Sequence, residues 1–453
     1  MMKEILIVGA GSVGGYFGAH LARKHSNVSF LLRPKTQAAV AQHGLTIRSA
    51  IGESFTVRPQ SASNPQDLPQ SDLIILGVKA YDLPEVMDQI EPVLKSDTTI
   101  LTLQNGVTIE DTLKMRFGRE RVVGGVAFIY SKIVEAGVID HFKKGMVTIG
   151  ELMGLETPRL LQVQALFKEA GIPCFLTEDI RKTKWEKMCW NCVFNPLTVL
   201  MNDHVAKALD APELQPVIAT IVREVAAVAM AAHRVPLDGN MPEKVVKWSQ
   251  ELRDIHTSMY DDWKAGRPTE IDELNGYIVQ RGQEFGVPTP MNEMLTALIK
   301  GMMSQHVCNE PVLNVEGAVQ QSLRFSRKHL SQLALEHQIS DVGRVMPSMR
   351  GTGVKVKAIL DAATLQPGVD HVTFYSQDRK YSACVTLEQA RNFGILLYEL
   401  DGSEFPSERG GPFRLVTPGL GDLCANVKQV GRMVFSQGLA QDTRPLEACS
   451  EDR

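Results

Sequence analysis

This chain of 453 residues lacks long apolar runs. None of its stretches reads as long enough to span a bilayer, so a membrane protein is not expected. A strong charge of one sign is missing too. Lys and Arg number 48 against 52 Asp and Glu, a formal net charge of −4, which offers no electrostatic attraction to nucleic acid or an anionic membrane. Cysteine is scarce and unpatterned. Seven cysteines, an odd number at irregular spacing, read as reduced thiols of a cytoplasmic protein rather than as a disulfide framework. Cys189 and Cys192 form a C-x-x-C among apolar neighbours and read as packing. Strand-like residues begin at Ile5, which leaves no room for a signal peptide. What is present is an ordinary globular composition, 44% hydrophobic and 22% charged, in a chain long enough for two or three domains.

Residues 3–8 read as a buried parallel strand and run directly into Gly9-Ala10-Gly11-Ser12-Val13-Gly14, followed by an apolar helical stretch through Leu21. The spacing is G-x-G-x-x-G with a strand before it and a helix after it, the context in which it signals a dinucleotide. Gly9 permits the tight turn, Gly11 lets a pyrophosphate approach the backbone, and Gly14 lets helix and strand pack closely. The phosphates would sit at the helix N-terminus, where free N–H groups and the dipole favour anions. A second strand, 28–32, ends at Arg33, with Lys35 nearby and no acid anywhere between residues 28 and 52. An acid there would bind the ribose 2′-hydroxyl of NAD, whereas Arg33 suits the 2′-phosphate of NADP. A solvated loop arginine is the plainer reading of the same residue.

Further strands at 72–78 and 98–103 end at Lys79 and at Gln104-Asn105-Gly106. These are strand C-termini, the edge at which open α/β sheets bind ligands, although Asn-Gly is often only a turn and Lys79 reads equally as a surface lysine. Residues 122–150 suit a hairpin of short strands on the sheet's edge, 157–170 a helix, and 172–176 a last strand. Beyond about 178 strands vanish and helices are expected at 212–233, 241–265, 269–285 and 290–304, a change from α/β to all-α. Glu270, in the first turn after Pro268, has an ordinary explanation in the helix macrodipole. Strands return from 354 to 435. The expected architecture is therefore α/β: an N-terminal Rossmann-type parallel sheet (1–178), an all-α second domain (179–305), a linker (306–345), a small mixed β-rich unit (346–436) and a disordered tail (437–453).

Lys187, Asn191 and Asn195 recur at i, i+4 and i+8 and share one helix face. Met188, Cys189, Trp190, Cys192, Val193 and Phe194 between them would bury that helix. An ammonium and two amides on a buried stripe need partners. Those partners are either other side chains, in a polar network between helices, or a polar ligand.

A Rossmann domain, an all-helical domain, Q-N-G at 104–106 and K-x-x-x-N-x-x-x-N-P at 187–196 together resemble the ketopantoate reductase (2-dehydropantoate 2-reductase) family over about residues 3–305. The resemblance implies NADPH-dependent reduction of a 2-oxo acid, 2-dehydropantoate (ketopantoate) to pantoate, a step of pantothenate biosynthesis. It places Lys187 as proton donor, Asn191, Asn195 and Ser258 on the substrate, and Lys79, Asn105 and Glu270 on the cofactor beside Gly9, Gly11, Ser12, Val13, Gly14 and Arg33. Lys187, Asn105 and Glu270 are its catalytic set. It also implies a cytoplasmic enzyme with a small-molecule substrate, and a homodimer. Two family asparagines are replaced here, three residues before Ser258 by Ile255 and ten past Asn195 by Val205. Both losses remove donors from the substrate side and leave a different 2-oxo or 2-hydroxy acid open.

Residues 345–436, through Leu400-Asp401-Gly402 and Gly410-Gly411-Pro412-Phe413-Arg414, resemble about half of the molybdopterin-binding domain of sulfite oxidase-like enzymes. That family holds molybdenum with an upstream cysteine thiolate, and no cysteine stands between Cys308 and Cys384. A remnant or interaction module, with no metal, is therefore expected. The alternatives are a bifunctional molybdenum enzyme and a non-catalytic NADP-binding sensor; a sensor would have no need to keep Lys187.

Overall fold

Ile5–Val8 is apolar at every position and buried throughout, and it occupies the interior of a parallel sheet. A computed structural model describes residues 2–154, 156–309, 311–400, 402–440 and 442–444. The strands of its largest sheet are β1 (Ile5–Val8), β2 (Val28–Leu31), β3 (Leu45–Ser49), β4 (Phe55–Val57), β5 (Gln60–Ala62), β6 (Ser71–Leu76), β7 (Leu94–Thr102), β8 (Val122–Glu135), β9 (Val138–Glu151) and β10 (Cys174–Leu176). They lie in the order β4-β3-β9-β8-β7-β6-β1-β2-β5, with β10 beside β9. From β8 to β5 every pairing is parallel, so the expected Rossmann-type sheet is present.

The hairpin at 122–150 departs from expectation. Its strands are 14 residues each, and they lie inside the sheet because β9 also pairs in parallel with β3 and β10. An edge of that length would present a row of unpaired N–H and C=O groups, and β3 and β10 cover it.

After β10 the chain is helical: Ile180–Met201, Gln215–His233, Met241–Ser249, Ser258–Lys264, Tyr277–Phe285 and Pro290–Asn309. The helix expected over 241–265 is broken between Ser249 and Ser258, and that expected over 269–285 opens with a π-helical turn, Asp272–Gly276. By length and composition Pro212–His233 could cross a membrane. It is a core helix instead: Ile218, Ile221, Val222, Val225 and Val228 are fully buried, and Glu224 accepts the backbone N–H groups of Met291 and Asn292, both at 3.0 Å. Sheet and helices together form one compact unit, Met1–His306.

The second unit is Val307–Arg453. Residues 306–345 are not a linker. Val312–Gly317 and Leu323–Ser326 form two strands of a five-stranded sheet, where Val312–Gly317 pairs with Val430–Ser436. Gln338–Ile339 pairs with Thr352–Lys355 in the second sheet. These strands are two to six residues long and bury at most two apolar side chains each, too few for a period to stand out. The tail departs from expectation in part: Asp442 accepts from the Cys384 N–H at 2.8 Å, and Arg444 donates to the Cys384 carbonyl at 2.7 Å. Residues 445–453 lie outside the described ones. Cys174, Cys189, Cys192 and Cys384 are free and buried, as expected of reduced thiols, whereas Cys424 is disulfide-bonded.

The unit boundary makes a testable distinction. Ending the chain after His306 is expected to leave a monodisperse folded protein. Ending it near Val345 leaves Val312–Gly317 paired only with Leu323–Ser326 and without Val430–Ser436, exposing an edge that promotes association. Light-scattering mass and thermal unfolding of the two truncations check this, and equal behaviour of both would contradict it.

Candidate active site

Neighbouring strands β7, β6 and β1 end side by side, and each delivers a polar loop to the same edge of the sheet. After β1, Gly9 has φ +88° and a Cβ there would meet Val78 Cγ1 at 2.7 Å. Gly14 is tighter still: a Cβ would lie 2.3 Å from the Gly9 carbonyl oxygen and 3.2 Å from Gly77 Cα. A Cβ on Gly11 would meet only the Gly77 carbonyl, at 3.6 Å. The room above Gly11 is thus not used by the fold, as close approach of a pyrophosphate requires. The helix Ser12–Lys24 that follows has no side-chain cap and no acid in its first turn, so its first N–H groups remain for an anion. Arg33 stands two residues past β2, at the N-cap of the helix Pro34–His43, its side chain 77% exposed and paired with Asp82 at 2.8 Å. The glycine turn and the uncapped helix N-terminus fit the pyrophosphate of a dinucleotide.

After β6, Lys79 sits between two carboxylates of the helical part, Asp262 at 2.7 Å and Glu270 at 3.1 Å. Burial works against the Lys79 ammonium, but Glu270 and Asp262 outweigh it and raise its pKa. Glu270 is buried; it also accepts from the Ala80 N–H at 3.3 Å and from Asn105 Nδ2 at 3.4 Å. Burial would push its pKa up, yet Lys79 and these donors hold it below the usual carboxylate range. Arg267 supports Asp262 at 2.9 Å. After β7, Gln104 donates to the Lys79 carbonyl at 3.2 Å, tying the two loops together.

The third wall is the helix Ile180–Met201, started by Asp179, whose carboxylate accepts the Lys182 N–H at 2.8 Å. Trp185, Cys189, Cys192, Val193 and Phe194 are fully buried and anchor it in the helical core. Pro196 lies inside this helix and has no N–H to give the carbonyl four residues earlier. That carbonyl, of Cys192, is taken instead by Asn275 Nδ2 at 2.9 Å from the π-helical turn. Asn275 also donates to Asn292 at 3.0 Å, and Asn292 to Glu224 at 2.7 Å, a fully buried relay.

A cavity in this corner is lined by Gln104, Asn105, Gly106, Lys184, Lys187 and Asn191, among others. Lys187 donates to the Ala127 carbonyl at 2.7 Å and lies 5.8 Å from the Phe128 ring centroid. Burial, then the neighbouring Lys184, lowers its pKa to about 8 against the pull of Glu270. Asn191 and Asn195 are 5% and 3% exposed, and neither carboxamide hydrogen-bonds another described residue. Of the two partners open to that stripe, a side-chain network is not what these two amides have. Ser258 opens its helix and is exposed, outside the cavity lining; its neighbour Thr257 bonds Thr198 at 2.7 Å. Ile255 and Val205, at the two replaced asparagine positions, are buried and joined by a Val205 N–H to Ile255 carbonyl bond of 3.1 Å.

Sequence reasoning passed over Lys184, Glu110, Asp262 and Asn275. Only Asn275 left a trace: a proline inside a buried helix announces a carbonyl that needs an outside donor.

Residues 5–154 match the family model described as ketopantoate reductase PanE/ApbA, and 179–303 match its C-terminal counterpart. Residues 306–442 match the oxidoreductase molybdopterin binding domain. A 2-dehydropantoate 2-reductase of Nostoc sp. is 29% identical over 309 residues, covering 66% of this chain and 94% of that protein. The crystal structure of 2-dehydropantoate 2-reductase from Geobacter metallireducens is 33% identical, covers 66% of this chain and 99% of that one, and superposes with a TM-score of 0.62. A ternary structure of D-mandelate dehydrogenase with NADH and anilino(oxo)acetate matches at 26% identity, 67% and 99% coverage, and TM-score 0.62. In the second unit the described thiols are those of Cys384 and Cys424. Among the described residues no three His, Cys, Asp or Glu side chains gather to hold an ion, Cys384 is buried within a strand, and Cys424 is disulfide-bonded.

The pairing of the amides separates two kinds of asparagine. Asn275→Leu removes donors from a buried carbonyl and a buried carboxamide and is expected to destabilise by roughly 1–3 kcal/mol. Asn191→Leu loses no protein hydrogen bond and is expected to leave unfolding nearly unchanged while raising KM. Urea unfolding of both variants, read beside steady-state kinetics, checks the contrast.

Proposed function

The chain belongs to the ketopantoate reductase family, and on that premise we propose that it reduces the keto group of a small 2-oxo acid with NADPH, 2-dehydropantoate first among them. The observation that carries the reading is the Lys187 ammonium in a cavity shared with Asn105 and the unpartnered Asn191. A bound nicotinamide supplies the hydride. Lys187 Nζ faces the oxygen on which negative charge develops, stabilises it through its own charge, and passes it a proton. Its partner in this structure, the Ala127 carbonyl, orients Nζ without neutralising it. Asn191 and Asn195 would hold the substrate's polar groups in line for attack, and Ser258, exposed and outside the cavity lining, is assigned to its carboxylate by the family likeness alone. Asn105 and Glu270 keep the loop after β7 against the loop after β6, and Gly9, Gly11, Ser12, Val13, Gly14, Lys79 and Arg33 would hold the cofactor there.

A second reading, the same chemistry on a different 2-oxo acid, is favoured by Ile255 and Val205. Packed against each other in the core, they offer no donors to a hydroxylated substrate tail. A panel of 2-oxo acids assayed with NADPH separates the two readings.

Lys187→Ala is expected to lower kcat by about 10²-fold or more, the scale of a lost positioned acid, with little change in NADPH affinity. In the wild type the ammonium is the acid. Reduction should therefore be complete below a pKa of about 8 and fall as pH rises through it. Near-normal turnover of the variant, or a flat profile from pH 7 to 9, would remove Lys187 from the chemistry.

Arg33→Ala is expected to weaken NADPH by about one to two decades, as for loss of a charge-assisted contact of roughly 1.5–3 kcal/mol. NADH should be nearly unaffected. Equal losses in titrations with the two cofactors would make Arg33 structural.

A further inference from the structure

Lys184 stands three residues before Lys187 on the same helix face and lines the same cavity. It forms an ion pair with Glu110, whose helix Ile109–Phe117 begins three residues after Gly106. The two side chains are only 5% and 7% exposed, and Lys184 Nζ also reaches the Gly106 carbonyl at 3.5 Å. A buried pair of this kind seldom stabilises more than apolar residues of the same shape would. Stability is thus a poor reason for two buried charges at the wall of this cavity.

We infer that the Lys184–Glu110 pair is a positioning element of the site, clamping the loop that carries Asn105 onto the helix and holding a second fixed cation beside Lys187. The inference rests on Lys187 being the proton donor. Few charges face that amine: Lys184 from its own helix and Glu270 from the segment before the π-helical turn. From β8 it meets only the Ala127 carbonyl and the Phe128 ring, and from the loop after β7 the neutral side chains of Gln104 and Asn105. A like charge one helical turn away in a water-poor pocket favours the neutral amine. Such an ammonium gives up its proton more readily, which is what a donor to a developing alkoxide needs. Glu110 supplies the counter-charge to Lys184 in a place where a buried ion without a partner is costly.

The test is the alkaline limb of kcat/KM with 2-dehydropantoate and NADPH. Lys184→Gln removes the cation but keeps a hydrogen-bond donor for Glu110. The double variant Lys184→Met/Glu110→Gln removes both charges and leaves no buried ion unpaired. Each is expected to move the limb to higher pH by about one unit and to lower the plateau kcat. Lys184→Arg, which keeps the charge, should restore the wild-type limb. A role in stability alone would lower the unfolding midpoint and leave the limb in place. An unmoved limb in both charge-removing variants, with Lys187→Ala inactive, overturns this inference and spares the reading of Lys187. Full turnover of Lys187→Ala would instead overturn that reading, and this inference with it.

Discussion

Glu270, a carboxylate from the helical part, is buried against the ends of two sheet strands, and the shape of the cleft depends on what holds it there. Lys79 and the Ala80 N–H come from the loop after β6, Asn105 from the loop after β7. A buried anion without such partners would cost several kcal/mol. The contacts that satisfy Glu270 therefore also fix where the helices stand relative to the strand ends. Directly after Glu270 comes the π-helical turn, whose Asn275 takes the carbonyl that Pro196 leaves free. A run of chain with polar contacts at both ends thus links the sheet, through Glu270 and Asn275, to the helix that bears Lys187, Asn191 and Asn195.

That run explains which parts were legible in the sequence. The glycine motif is a local matter: turn, anion site and helix packing all arise within ten residues, so Gly9, Gly11 and Gly14 could be assigned roles without a structure. The stripe of Lys187, Asn191 and Asn195 was legible because helical period alone brings the three together. Glu110 and Asp262 were not, since nothing near them in the chain distinguishes them from solvated acids. They acquire meaning only when strands and helices meet. The long β8–β9 hairpin read as an edge because pairing partners lie far away in sequence, at β3. The strands between 312 and 339 were hidden by brevity.

The second unit adds a contrast between fold and chemistry. Its two sheets are complete enough to bury Leu313, Val315, Phe374, Leu396 and Phe435; of its described thiols, Cys384 is buried within a strand and Cys424 is disulfide-bonded. A hydrophobic core needs many side chains of roughly suitable size and tolerates substitution among them. A metal site depends on a few ligands in one geometry and does not survive their loss.

The contact between Gly14 and Gly77 constrains more than local packing. A Cβ on Gly77 would fall 2.4 Å from Gly14 Cα, and one on Gly14 only 3.2 Å from Gly77 Cα. Each glycine leaves the other no room to change. Drift at either site must wait for the helix and the β6 loop to separate, and the cradle for the phosphates would be lost in the same event. Mutational routes out of this corner are therefore closed in single steps, while Arg33, exposed on the rim, can change freely. On the role proposed for Arg33, the choice among dinucleotides can then shift by single substitutions, whereas the cradle cannot.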